Sequence, residues 1–148
     1  LKVKVKLGDI IKDDSFYSLP YYATKGSSGA DIAIIENVTI NPGEVVLVST
    51  GISVEIPVGY EIQVRLRSSY ALKGLIIANS PGTIDSDYRG EIKLILANIG
   101  KEKIKLEKYD KVAQLVLSKV ERIEWEQVEH LFPTERGEGG FGSTGGAE

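Results

Sequence analysis

The chain of 148 residues has 18 lysines and arginines against 21 aspartates and glutamates, a net charge of −3, so no broad cationic field for nucleic acid is expected and phosphate recognition has to be local. It has no cysteine and one histidine, which removes disulfides, thiol catalysis and thiolate or multi-histidine zinc centres within one chain and leaves oxygen as the ligand for any metal. The length suits one domain that buries roughly 70% of the surface exposed by the unfolded chain, with no structural metal required. Leu1 to Leu7 alternates apolar residues with lysine, the pattern of a strand with one buried face and a charged face that discourages edge pairing. A secretory leader would be continuously apolar there, and no later apolar run reaches the length of a membrane span, so a cytoplasmic protein without membrane contact is expected. Gly8 to Tyr22 has no clean period and reads as loop, and the small residues Ala23 to Ala30 feed a strand at Ile32–Ile35. Val38–Ile40 and Val45–Val48 flank Asn41-Pro42-Gly43-Glu44, a hairpin signal in which Pro-Gly suits the centre of a type II turn. Thr50–Ile56 and Tyr60–Leu66 keep a period of two.

Ser68-Ser69-Tyr70-Ala71-Leu72-Lys73-Gly74 departs from that period. It opens on capping residues and ends in glycine, so a turn or two of helix is expected, with two serine hydroxyls, free backbone N–H groups and Arg67 as a local phosphate site. Asn79 to Glu91 then connects two apolar runs, Leu75–Ala78 and Ile92–Ala97, with Pro81-Gly82 as the turn. Turn residues alone would account for its composition. Yet Asp85 follows the β-branched pair Thr83-Ile84, which holds its carboxylate on stiff extended backbone, with Asp87 on the same face and Tyr88 across from it. Later strands are expected at Ile92–Ile99, Lys103–Leu106 and Val112–Val120, the last carrying Gln114, a polar residue that needs a partner in an apolar strand. Arg122–Glu129 alternates imperfectly and is expected to close the sheet, with Trp125 in a core or an interface. Many short strands and one brief helix give an all-β sandwich or barrel over residues 1–132.

Residues 133–148 form a glycine-rich arm that cannot build a core. Gly140 to Gly145 spells G-x-G-x-x-G, but no helix follows to receive a pyrophosphate, so a dinucleotide fold is excluded. What the arm offers is backbone N–H donors with Arg136, Ser143, Thr144 and the Phe141 ring, a set able to fold over a polyphosphate and cover a flat base.

Five ordered segments carry a family resemblance: Ser28-Gly29-Ala30-Asp31, Arg67-Ser68-Ser69-Tyr70-Ala71, Gly82 to Gly90, Asp110-Lys111-Val112-Ala113-Gln114, and Arg136 to Gly145. In this order they resemble the motifs of the homotrimeric dUTP diphosphatases. The resemblance implies a jelly-roll-like β-barrel with a mobile C-terminal arm, assembled as a homotrimer with active sites shared between subunits. It implies the reaction of dUTP with water to give dUMP and pyrophosphate, which keeps uracil out of DNA and supplies dUMP for dTMP synthesis. By the same resemblance Asp85 is the general base for water attacking the α-phosphorus, and Asp87 is more replaceable. Tyr88 packs under the deoxyribose and leaves no room for a 2′-hydroxyl, while Asn79 and the backbone of Gly82, Thr83 and Ile84 read uracil. Arg67, Ser68 and Gln114 contact phosphates; Arg136, Ser143 and Thr144 clamp the far phosphate, Phe141 stacks on uracil, and Ser69 and Gly142 are counted among the substrate-binding residues. Mg²⁺ is expected on the phosphates and water, with Asp31 in its outer shell or holding an arginine. Leu66, Ser69 and Tyr70 stand where the family commonly has Pro, Gly and Leu. Arg-Ser-Ser also occurs in the related dCTP deaminases, but their catalytic glutamate corresponds to Ile95, which disfavours a deaminase or a bifunctional enzyme. A silent nucleotide-binding module would be expected to have lost the base or the arm.

Overall fold

In a computed structural model, which describes residues 1–143, alternation of apolar and polar side chains brings two sheets face to face. The strands are β1 (Lys4–Leu7), β2 (Ala30–Ala33), β3 (Val38–Ile40), β4 (Val45–Glu55), β5 (Tyr60–Leu66), β6 (Leu75–Ile77), β7 (Gly82–Ile84), β8 (Glu91–Asn98), β9 (Ile104–Leu106) and β10 (Lys111–Lys119), with one four-residue helix, α1 (Ser68–Ala71). One sheet has the order β1-β4-β8-β6, the other β2-β10-β5-β7, and β3 pairs with β9 in a small third sheet. Ile92, Leu94 and Leu96 of β8 meet Ile62 and Val64 of β5 and Leu115 of β10 in one apolar core. Each such side chain contributes about 1.5–3 kcal/mol through burial. The arrangement is the expected all-β, jelly-roll-like one, although the sheets do not close into a true barrel.

Several local expectations are corrected. The Asn41–Glu44 turn forms as read, with Glu44 N–H donating to Asn41 O at 3.0 Å and Gly43 at φ +83°, but the flanking strands do not form a hairpin. β3 pairs instead with β9, and β4 pairs with β8, because the chain crosses from one sheet to another at that turn. Val45–Val48 and Thr50–Ile56 merge into the single strand β4, whose register with β8 slips between Ser49 and Ser53. Gly51 sits in that slip at φ +79°, and its carbonyl accepts the Gly8 N–H at 2.7 Å, so the loop after β1 is tied into the irregularity. The strand expected at Ile32–Ile35 begins at Ala30, and the one expected from Leu1 begins at Lys4. The stretch after Asn79 is more than a connector, since β7 lies within it and pairs with β5. Arg122–Glu129 does not close the sheet: all its residues are exposed and Trp125 is 85% exposed, so it is no core residue. The last backbone tie from this end to the body is Val120 N–H to Gly59 O, and the expected boundary at 132/133 falls within the exposed run that follows.

Two polar side chains are completely enclosed, Thr50 and Asn98. Asn98 Nδ2 donates to Ile40 O at 2.9 Å and Glu102 O at 2.7 Å, and its Oδ1 accepts from Gly100 N–H at 2.9 Å. It therefore joins the crossing after β3 to the turn after β8. A second tie links the Gly8–Tyr22 loop to the turn before β10, where Asp14 accepts from the Tyr109 hydroxyl and from Phe16 N–H. These bonds, with Lys108 nearby, hold the Asp14 carboxyl below its ordinary range, and the same bond to Asp14 pushes the Tyr109 phenol up.

Replacing Asn98 by alanine leaves two carbonyls and an N–H without partners in the interior, so a loss of roughly 2–4 kcal/mol is expected in chemical denaturation at fixed protein concentration. A loss under ~0.5 kcal/mol would show that water replaces the amide at no cost.

Candidate active site

Strand β5 positions both halves of the site. Along one edge it pairs with β10 from Leu66↔Ala113 to Tyr60↔Lys119, and along the other with β7 from Val64↔Gly82 to Ile62↔Ile84. Arg67 leaves the far end of β5, its N–H donating to Val112 O at 3.0 Å, whereas Asp85 follows Ile84 near the strand's beginning. The span from the level of Glu61 to Arg67 is six steps of about 3.3 Å, so these two backbone positions lie roughly 20 Å apart in one chain.

The first half is a cavity of about 360 Å³ between β7 and β8. Asn79, Gly82, Thr83, Ile84, Asp85 and Tyr88 all line it, as does Ile95. Gly82 and Ile84 are buried while Thr83 and Asp85 are exposed, so the alternation of β7 carries on to Asp85, and Tyr88 is exposed as well. The Asp85–Glu91 segment is bound to itself: Tyr88 N–H donates to Asp85 O at 3.1 Å, Tyr88 Oη donates to Glu91 O at 2.8 Å, and Arg89 Nη1 donates to Ser86 O at 2.7 Å. The Arg89 guanidinium is thereby turned onto the loop's own carbonyls.

The second half gathers Asp31, Arg67 and Gln114. Asp31 Oδ1 lies 3.6 Å from Arg67 Nε, and Arg67 Nη1 donates to Lys111 O at 2.9 Å, so the guanidinium is held from two sides. Gln114 stands opposite both Asp31 on β2 and Arg65 on β5. Gly29, buried and not in the left-handed region, lies against Gln114: a Cβ added there would come within 2.9 Å of Gln114 Cβ and Cδ. Ser68 and Ser69 are exposed on α1, but the residue that caps the helix is Arg67, with no side-chain cap bond, rather than a serine. Tyr70 beside them has its phenol pushed up by burial and by the charge of Asp110, with Arg67 opposing. Among the described residues no group of three carboxylates or histidines converges to hold a metal.

The described part of the arm, residues 133–143, joins neither half in its own chain. Residues 120–138 are exposed, Phe141 is fully so, and Arg136 Nε donates to Gly139 O at 2.8 Å within the arm. Gly142 and Ser143 are exposed in a turn, and Thr144 lies outside the described residues.

The model of the dUTPase family matches residues 17–145. The chain belongs to the dUTPase family. The deoxyuridine 5′-triphosphate nucleotidohydrolase of Orientia tsutsugamushi (strain Ikeda) is 49% identical over 146 residues, covering 97% of this chain and 99% of the relative. That of Chlamydia trachomatis serovar L2 is 55% identical over 138 residues, covering 90% and 95%. Among solved structures, the dUTPase of Staphylococcus bacteriophage 80alpha with dUPNHPP superposes with a TM-score of 0.84 at 29% identity, covering 97% of this chain and 98% of that one. In this dUTPase-family chain the motif residues thus fall into three places: the β7–β8 cavity, the Asp31–Arg67–Gln114 group, and the arm. Reading by residue type assigned no role to Arg89, Gly29 or Gly90, whose contribution is to hold or make room for a neighbour. The signal for the glycines was their position beside a motif residue where no turn demands one.

Gly29→Ala is expected to displace Gln114 together with its stretch of β10, weakening nucleotide binding about tenfold and lowering the melting temperature, measured by calorimetric titration and thermal melting. Unchanged affinity would show that Gln114 contributes nothing from this position.

Proposed function

We propose that the chain hydrolyses dUTP to dUMP and pyrophosphate at sites built jointly by copies of the same chain. The observation that carries this reading is the convergence of Asn79, Asp85 and Tyr88 on one cavity. In that cavity the exposed Asp85 carboxylate accepts a proton from a water aligned with the α-phosphorus, attack breaks the α–β phosphoanhydride bond, and pyrophosphate leaves. Tyr88 lies under the deoxyribose, and Asn79 with the Gly82–Ile84 backbone satisfies the edge of uracil. Cytosine would leave buried donors and acceptors unpaired, at about 1–3 kcal/mol each. Ile95 lines the same cavity and has no proton to exchange, which favours phosphoanhydride hydrolysis over deamination.

The phosphate contacts come from Arg67, Ser68, Ser69 and Gln114 of another copy. A separation of about 20 Å along β5 is too great for Arg67 to serve the α-phosphate beside Asp85 of its own chain. A self-assembling surface supports this: on the outer face of the β1-β4-β8-β6 sheet Val45 and Leu47 are 62% and 60% exposed, beside Ile76 and Ile95. Such a contiguous apolar face is ordinarily covered by a partner, and a homotrimer is the assembly that the family resemblance implies. Arg136, Phe141, Gly142, Ser143 and Thr144 of an arm then cover the triphosphate and base. The phage 80alpha relative solved with dUPNHPP supports a nucleotide site on this fold.

The donor set fits a Mg²⁺ carried by the phosphates and water, because among the described residues no three carboxylates or histidines converge on a metal and the Asp31 carboxylate is already paired with Arg67. Bound there, the ion would offset the charge that develops on pyrophosphate, with Asp31 holding its waters. Among the described residues no helix is long and apolar enough to cross a membrane. A cytoplasmic location is part of the same proposal.

Asp85→Asn is expected to bind dUTP while releasing pyrophosphate at least ~10²-fold more slowly, and near-normal turnover would reassign the base. Co-refolding Asp85→Asn chains with Arg67→Ala chains, each inactive alone, is expected to restore on the order of a quarter of wild-type activity, because mixed trimers contain one intact site. No recovery would place both residues in one chain's site and sink the shared arrangement. Ammonia release assayed alongside would reveal a deaminase.

A further inference from the structure

Gly90 lies between Arg89 and the first residue of β8, in a backbone conformation outside the left-handed region, so its lack of a side chain is not required by the turn. What occupies the space is the Tyr88 ring. A Cβ at residue 90 would stand 2.6 Å from Tyr88 Cζ and 2.9 Å from Cε1, closer than nonbonded carbons come, and would also meet the hydroxyl. That hydroxyl donates to Glu91 O at 2.8 Å, while the Tyr88 N–H is bonded to Asp85 O, so the ring is held at its base and its tip and rests on residue 90. Tyr88 is 45% exposed, which leaves the ring free to swing outward if anything fills that space.

We infer that Gly90 is a specificity-determining positioning residue: it lets the Tyr88 ring lie flat against the β7–β8 cavity, at the height that admits a deoxyribose and excludes a 2′-hydroxyl. This rests on the proposed role of Tyr88 as the sugar filter and adds where the filter's position comes from. The three atoms nearest to a methyl group at 90 all belong to the outer end of the half-exposed Tyr88 side chain. The fold therefore survives the change while the ring is lifted. Lifting acts on the sugar pocket, whereas Asp85, whose backbone continues directly from β7, keeps its place. The effect falls on the choice between dUTP and UTP, which differ by a single hydroxyl.

The test compares kcat/KM for dUTP and UTP in the wild type and in Gly90→Ala, Tyr88→Ala, Tyr88→Phe and the Tyr88→Ala/Gly90→Ala double variant, with thermal melting on each. Gly90→Ala is expected to lower the dUTP-over-UTP preference about tenfold or more, chiefly by raising kcat/KM for UTP. Tyr88→Phe, which loses the bond to Glu91 O, is expected to relax it less. Adding Gly90→Ala to Tyr88→Ala is expected to change the preference no further, which a general loss of structure would not produce. If Tyr88→Ala relaxes the preference and Gly90→Ala leaves it intact, the inference about Gly90 is overturned while Tyr88 stands as the filter. If Tyr88→Ala itself leaves the preference intact, the reading of Tyr88 falls and this inference with it. Should Gly90→Ala fail to fold, survival of the full preference in Tyr88→Phe would overturn the idea that the ring's placement sets it.

Discussion

The pairing of β5 with a different strand on each edge is the constraint on which the rest depends. One register, Ile62↔Ile84, determines where Asp85 emerges, and the other, Leu66↔Ala113, determines where Arg67 and Gln114 stand. A slip of one residue on either edge would send the whole side-chain set of that neighbour to the opposite face. Ile84 on β7 and Leu115 on β10 prevent this, because both are buried and a slip would bring Asp85 or Gln114 into their places in the core. The same rigidity that fixes the Asp85 and Arg67 groups also holds them apart at two ends of one strand, which is why the proposed nucleotide site draws on more than one chain.

Within each half, precision comes from what is missing as much as from what is present. Gly29 makes room for Gln114 and Gly90 for Tyr88, at positions where neither glycine is required for a left-handed turn. Gly51 is a different case: its positive φ and its crowding by Ile11 both require glycine, and it serves the irregularity in β4 rather than the site. The Asp85–Glu91 loop follows the same logic, since Arg89 spends its guanidinium on the carbonyls of Ser86 and Tyr88 and not on the carboxylates of Asp85 and Glu91 that line the cavity.

Strand alternation made the core and most of the sheet legible in the sequence, because a period of two in residues such as Tyr60 to Leu66 has a single packing solution. The five motifs brought the site residues into view by their order. Partner choice among strands was not legible: the Asn41–Glu44 turn looks the same whether its strands pair with each other or diverge, and what separates β3 from β4 is a long-range pairing with β9. Arg122–Glu129 misled for a related reason, as its alternation of Ile123 and Trp125 has no sheet in its own chain to complete. The roles of Gly29 and Gly90 were hidden because a glycine beside a motif reads the same whether it serves backbone or neighbour.

The uncovered apolar face around Leu47 has a thermodynamic consequence. Any partner that binds the folded chain and not the unfolded one adds stability that grows with the logarithm of its free concentration. With copies of the same chain as that partner, dilution would lower the melting temperature and dismantle the catalytic centre through one and the same mass-action equilibrium.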